Sequence, residues 1–305
     1  MKTHVEWLRK LAVLSPAIRK SLGPGNERFA PHKPLLLLCV LELVEQGRLE
    51  TSQLCLTADL VLRFQSFWRV VVSRWTTKRE LRMPFHHLST QEFWKPLTKD
   101  LQKSDHRSLT EVVEIDASFM DAMRDADFRR RARAVIISNY FPPVEQVALR
   151  DLVGIEEKDA EAASGAVKKE AREHARSTAR DARFRIQVVS SYLFTCALTG
   201  YSLTTISNSC IVDAAHIHER RVSKNDDPRN GLALSKNAHW MFDEGLWSMT
   251  DDLKIIVAEK AFTDWSPDGF SLRNYHGRPL FFQRGCSLRP DSRYIAWHRD
   301  HQFQG

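Results

Sequence analysis

The sequence predicts an α+β protein of two domains: a mostly helical N-terminal domain with a β-hairpin or wing, and a C-terminal domain of short strands around a helix. Three observations predict it. Apolar residues recur at helical spacing through much of residues 1–150. A charged, alanine-rich stretch at 155–183 breaks that pattern. Short apolar runs separated by turn residues resume at 184. With 305 residues, 43% hydrophobic and 27% charged, the chain is long enough for two cores.

The elements follow in order. "HKPLLLLCVLELVEQG" reads as a helix with Pro34 in its first turn and Gly47 past its end. It is apolar on every face except the side of Glu42 and Glu45, which predicts the central buried helix. "TADLVLRFQSFWRVVVS" places Leu60, Phe64, Phe67 or Trp68, and Val71 at helical spacing. In "LRMPFHHLSTQEFWKPL", Pro84, Ser89 and Pro96 punctuate short aromatic segments, which suits a hairpin or wing with Phe85, Leu88, Phe93 and Trp94 in its core. "DAMRDADFRRRARAVIISNYF" returns to helix, with Arg129, Arg130, Arg131 and Arg133 read as a solvated face. The expected domains are therefore 1–150 and 184–305, joined by a charged helical linker over 151–183. In the second domain "FRIQVVSSYLFTCALTG" reads as a helix leading to a turn at Gly200. Strands fit around 210–214, 231–234 and 253–258, and a short helix fits 236–244, closed by Gly245.

Composition narrows the class. The longest apolar run, "LLLLCVLELV", is too short and interrupted to span a bilayer, so no membrane partner is expected. The N-terminus carries charges throughout and no cleavage pattern. Five cysteines (Cys39, Cys55, Cys196, Cys210 and Cys286) are odd in number and form no CxxC pair, which suits reduced thiols and a cytoplasmic location and predicts no structural zinc. A net charge of +7 favours a phosphate backbone as partner.

The chemistry-bearing residues cluster between 196 and 245. "DAAHIHERR" puts His216 at a strand end with Asp213 three residues before it. Asn230 precedes Gly231 at the entry to the next strand. On the following helix His239 and Asp243 are four apart and share a face, an imidazole and a carboxylate suited to a divalent metal. If the strands pair, His216, Asn230, His239 and Asp213 can converge as one base, one orienting amide and two or three ligands. That set suits phosphodiester hydrolysis. Taken singly, each residue also fits a plainer role: a structural histidine, a surface His–Asp pair, an Asn-Gly turn.

The pattern "CALTGYSL…DAAHIHERR…DPRNGLALSKNAHWMFDEGLWSM", roughly residues 194–258, resembles the HNH nucleases, whose site is a ββα-metal hairpin and helix. The resemblance implies His216 as general base, Asn230 as the residue that orients it, and His239 as a metal ligand with Asp243 as a further one. One divalent ion (Mg, Mn or Ni) is implied. Many relatives carry an acidic residue or histidine directly before the base. Here that place is Ala215, and Asp213, on the same strand face, is the expected substitute. His218 is expected to contact phosphate or lie exposed. The tail "LRPDSRYIAWHRDHQF" also resembles restriction enzymes of this type, with His298 and His301 as contacts to DNA or metal and Trp297 packed over the nuclease core.

"HKPLLLLCVLELVEQG" followed by "PFHHL…FWKPL" resembles the N-terminal modules of modification-dependent restriction enzymes that sense phosphorothioate or modified cytosine. Arg74, Arg79 and Arg82 precede that second segment. Arg79, Arg82, His86, His87 and Trp75 are the expected DNA contacts, with Trp75 and His86 or His87 exposed. The expected protein is a metal-dependent endonuclease acting on double-stranded, modified DNA as a homodimer. The alternatives are a conventional restriction enzyme and a non-catalytic DNA-binding protein that keeps a degenerate fold.

Overall fold

The computed structural model describes residues 2–22, 24–71, 75, 80–155, 168–205 and 209–305. The chain divides into two compact units, Met1–Ala182 and Arg183–Gly305. Among the described residues no helix is long and apolar enough to cross a membrane.

The first unit is helical around a small sheet. Helix α1 (His4–Leu11) opens with a capping box, Thr3 and Glu6 each satisfying the other's main-chain N–H. Helix α2 (His32–Glu45) is the buried centre, as its all-round apolarity predicts: Leu35, Leu36, Leu38, Cys39 and Val40 have no exposed surface. It ends where Gly47 adopts a positive φ of 64°, the left-handed turn that glycine takes without steric cost. Strands β1 (Gln53–Cys55), β2 (Trp94–Leu97) and β3 (Val112–Ile115) form an antiparallel sheet in the order β1-β3-β2, so the stretch expected to form a hairpin supplies only β2, whose partner β3 lies beyond it. "MPFHHLST" departs from the expectation: Arg82–His87 is α-helix and Leu88–Thr90 a 3-10 turn. A proline near a helix start is compatible with the helix, and here Pro84 falls in its first turn. Phe85, Leu88, Phe93 and Trp94 are buried, and the Trp94 indole N–H donates to the Phe85 carbonyl at 2.7 Å.

The polar side of α2 is closed by buried ion pairs. Arg63 lies on helix α3 (Ala58–Val71) with no exposed surface. It meets Glu42 at 3.1 Å and Asp59 at 3.3 Å, and donates to the Gln46 side chain at 2.8 Å. Burial pushes the Glu42 carboxyl above its usual range, while Arg63 and then Arg133 pull it back. On helix α6 (Ala126–Tyr140) the expected solvated arginine face splits. Arg133 is buried and grips Glu45 at 2.6 Å, and Arg129 donates to the Met123 and Arg124 carbonyls at the end of helix α5 (Ala117–Arg124). Arg130 and Arg131 pair with Asp127 at the surface. Neighbouring arginines on a helix point about 100° apart, so a run of them cannot share one environment.

Helix α7 (Pro143–Leu152) precedes helix α8 (Lys169–Ser191). Helix α8 runs through residue 183, where the composition changes. Its charged first half buries Ala175, Ala179 and Ala182 along one side, so alanine there faces protein and is not merely a solvated linker residue.

The second unit is built on an antiparallel hairpin. Strand β6 (Val212–His216) pairs with β7 (Gly231–Ser235) in the register Ala214↔Ala233 and His216↔Gly231. A smaller hairpin, β4 (Thr204–Thr205) with β5 (Ser209–Cys210), precedes it. Helix α9 (Arg220–Ser223) lies in the excursion between β6 and β7. Helix α10 (Lys236–Asp243) follows β7 and packs on both strands through Ala238 and Phe242. Strands β8 (Trp247–Met249) and β9 (Ile255–Val257) form a further hairpin, and helix α11 (Ser292–His301) packs on β8.

Arg63→Ala is expected to destabilise the first unit by about 3–5 kcal/mol, because the Glu42 carboxylate would stay buried without its ion-pair partner. The double change Arg63→Met with Glu42→Leu should recover most of that loss. Urea denaturation of the three proteins measures it, and a loss under about 1 kcal/mol in Arg63→Ala would contradict the assignment.

Candidate active site

His216 ends β6 and is only 14% exposed at its side chain. Phe184 of α8 stacks on the ring at 3.8 Å with a 9° interplanar angle. Gly231 makes that stack possible. It sits opposite His216, and a Cβ there would lie 2.9 Å from the Phe184 ring and 2.4 Å from Val188. Nε2 of His216 faces the Asp226 carboxylate at 3.2 Å. Arg220 holds Asp226 from the other side at 2.9 Å. A carboxylate only accepts, so Nε2 carries the proton and further proton uptake falls to Nδ1.

Asn230 is wholly buried. Its side-chain oxygen accepts from the His218 main-chain N–H at 2.8 Å, and its amide donates to the His218 carbonyl at 3.0 Å and the Asn225 carbonyl at 3.2 Å. The expected contact between this amide and the base's ring is replaced by an indirect one. Asn230 ties down the main chain on both sides of the excursion that carries Asp226. Asn225 is held in turn by the Tyr294 hydroxyl at 2.6 Å.

On α10 the i,i+4 spacing brings His239 Nε2 to 3.4 Å from Asp243 Oδ2, with side chains 28% and 58% exposed. Burial is the largest influence on the Asp243 carboxyl and raises its pKa; His239 opposes it, and the negative charges of Glu219 and Glu244 add to it. Two donors each ~2.1 Å from a cation stand roughly 3.0–3.5 Å apart at bond angles near 90–110°. The pair therefore fits two adjacent positions on a hard divalent ion, leaving the remainder to water and substrate oxygens.

Asp213 does not join them. Its carboxylate pairs with Arg185 of α8 and accepts from the Ala214 main-chain N–H. Among the described residues no group of three or more His, Cys, Asp or Glu side chains stands ready for a metal. The three-ligand set His239, Asp243 and Asp213 is thus not assembled, because Arg185 holds Asp213. Ala215 is fully buried against the hairpin's inner side. Cys196 sits by Ser235, and Cys210 points to the Val212 carbonyl.

The tail histidines fall in different places. His298 is wholly buried. It stacks on Phe242 at 3.8 Å, its Nδ1 lies 2.9 Å from the Ser248 hydroxyl, and its Nε2 lies 3.2 Å from the Phe242 carbonyl. Burial lowers its pKa to about 4, partly offset by the Phe242 carbonyl. It is a core residue, not a DNA contact. Trp297 stacks on His218 at 4.0 Å and on His301 at 5.0 Å, so His218 packs rather than projecting to phosphate.

In the first unit the expected contacts also divide. Trp75 is buried, with the Arg19 guanidinium 4.4 Å above its ring, so it is not the exposed contact its basic neighbours suggest. Arg82 donates to the Ser108 and Thr110 carbonyls, and His86 Nδ1 pairs with the Thr110 hydroxyl at 2.7 Å. His87 remains exposed. Arg74 and Arg79 lie outside the described residues.

Sequence reasoning missed Asp226, Arg220, Glu219 and Phe184. "NDDPRN" reads only as a turn, and Phe184 as the first apolar residue after a charged stretch.

Residues 196–250 match the HNH endonuclease family. No curated protein matches the chain. Among solved structures it is similar to a modification-dependent TagI restriction endonuclease, at 23% identity and a TM-score of 0.31, over 40% of this chain and 38% of that one.

The unfolded chain protonates His298 near 6.5 and the folded chain near 4. Stability from this group is therefore complete above about pH 6.5 and falls as pH drops toward 4, by about 3 kcal/mol in all. His298→Gln should give a shallower decline over that window in urea denaturation at a series of pH values; an unchanged slope would contradict it.

Proposed function

With residues 196–250 forming an HNH endonuclease domain, we propose that this chain hydrolyses phosphodiester bonds in double-stranded DNA and depends on a DNA modification read by its first unit. The observation that carries the hydrolytic reading is the pairing of two devices on one hairpin and helix: His216 set by Asp226, and His239 beside Asp243. His216 takes a proton at Nδ1 from the attacking water as the new phosphorus–oxygen bond forms. Asp226, held by Arg220, stabilises the resulting imidazolium. A divalent cation bound by His239 and Asp243 would supply Lewis-acid stabilisation of the phosphate and the departing oxygen. Asn230 keeps the Asp226 excursion against the hairpin, and Lys236, Asn237 and the 60%-exposed Trp240 lie on the same helix for contact with DNA. The identity of the cation (Mg, Mn or Ni), the homodimer and the cytoplasmic location belong to this proposal.

Modification dependence rests on the likeness of "HKPLLLLCVLELVEQG" and "PFHHL…FWKPL" to modules that sense modified cytosine or phosphorothioate. His87 is the best-placed of the expected contacts, since Arg82 and His86 are engaged by the 108–110 segment.

His216→Ala should lower cleavage by a factor of ~10²–10⁴ while leaving DNA affinity in a gel-shift assay unchanged. Equal loss of binding would indicate a structural role instead. His239→Ala should abolish Mn²⁺ binding by calorimetry.

One fragment prepared unmodified, with 5-methylcytosine, with 5-hydroxymethylcytosine, glucosylated and with phosphorothioate tests recognition in the presence of each metal. Cutting confined to one modified form supports the proposal, and equal cutting of the unmodified form makes the chain a conventional or nonspecific nuclease. Sedimentation as a monomer with and without DNA would remove the dimer.

A further inference from the structure

The family match ends at residue 250, yet the end of α10 that carries Asp243 is held by residues beyond it. The last main-chain groups of a helix lack partners within the helix, and a helix end that bears a ligand needs them fixed from elsewhere. Four contacts do this. His298 Nε2 lies 3.2 Å from the Phe242 carbonyl, one residue before Asp243, and its ring stacks on the Phe242 ring at 3.8 Å with a 4° interplanar angle. A carbonyl only accepts, so Nε2 is the donor, and in the neutral ring Nδ1 accepts from the Ser248 hydroxyl at 2.9 Å. The Gln304 side chain donates to the Glu244 carbonyl at 2.7 Å, and its main-chain N–H donates to the Gly245 carbonyl at 3.0 Å. Gly245, at φ 66°, lies so near the tail that a Cβ would sit 2.0 Å from the Gln302 carbonyl oxygen. The Gln302 side chain donates to Glu219, whose charge bears on Asp243.

We infer that His298, with Gln302 and Gln304, is a positioning brace: residues 292–304 hold the last turn of the helix at Lys236–Asp243 so that Asp243 stays aligned with His239 for a divalent cation. Within the matched segment the Gly245 N–H also donates to the Phe242 carbonyl, at 2.9 Å, but among the described residues only Gln304 reaches the carbonyls of Glu244 and Gly245. Ring stacking fixes the rotation of Phe242, the hydrogen bond fixes its main chain, and the tail fixes the two residues after Asp243. Displacement of one donor by even an ångström separates a pair now 3.4 Å apart beyond what one small ion can bridge. The inference rests on the reading of His239 and Asp243 as metal ligands.

The test is Mn²⁺ affinity of the full-length protein, by calorimetry and by electron paramagnetic resonance of free Mn²⁺, alongside thermal melting. His298→Phe keeps the stacked ring and loses both hydrogen bonds; it should weaken Mn²⁺ binding about tenfold. Ile295→Val lightens the buried packing of the same helix without touching α10's last carbonyls, and should lower the melting temperature with unchanged affinity. Gln304→Ala, at an exposed position, should weaken binding two- to threefold and serves if His298→Phe does not fold. Wild-type affinity in both His298→Phe and Gln304→Ala overturns the brace, as does a loss in Ile295→Val matching theirs. Failure of the unaltered protein to bind Mn²⁺ overturns the ligand reading itself.

Discussion

One buried amide underlies the geometry of the second unit. Asn230 has no exposed surface and makes three hydrogen bonds to main-chain groups of His218 and Asn225. A primary amide is suited to this because it accepts and donates at once, as a main-chain peptide does, so it can substitute for a ladder where the strands have parted. The chain leaves the hairpin after His216 and returns at Gly231, and Asp226 reaches His216 only because the excursion is stapled at both its ends. An aspartate at 230 would oppose the two carbonyls it now meets, and a leucine would leave main-chain groups buried without partners.

Around that staple the hairpin's two sides have different tasks. Ala215 and Leu232 are buried partners in the ladder, and His216 is paired with a glycine whose missing Cβ admits the Phe184 ring. An aromatic ring parallel to the imidazole restricts it to one plane, and Asp226 then selects its rotation and its tautomer. Helix α10 comes to the same hairpin with Ala238 and Phe242 inward, which leaves His239 and Asp243 at its outer side. His216 and the His239–Asp243 pair are thus set by separate supports: the former by α8 and the excursion, the latter by α10 and the tail.

The first unit shows the same economy with charge. Glu42, Arg63 and Arg133 are drawn inward around α2, where each buried charge is offset by an opposite one, Arg133 by the more exposed Glu45. Such pairs add little net stability compared with apolar packing of the same volume, but they penalise any arrangement that separates the partners. Arg130 and Arg131 stay at the surface paired with Asp127, and His87 is exposed.

Local rules act over a few residues, and what they govern was legible in the chain. Pro34 and Gly47 bracket α2, Ser235 and Gly245 bracket α10, His239 and Asp243 share a face because four residues make about one turn, and the runs ending at His216 and beginning at Gly231 are strands. These were enough for the α+β class, the hairpin and the side-by-side placement of His239 and Asp243. The remainder depended on which distant residues meet. Asp213 is on the strand where a ligand was expected, yet Arg185 claims it; Trp75 follows basic residues, yet it lies buried under Arg19; His298 sits in a charged tail, yet it is core because Phe242 and Ser248 enclose it. A polar side chain becomes a ligand, a support or a surface group according to its partners and its exposure to water. Partners so far apart in sequence leave no periodicity to read; only folding brings them together.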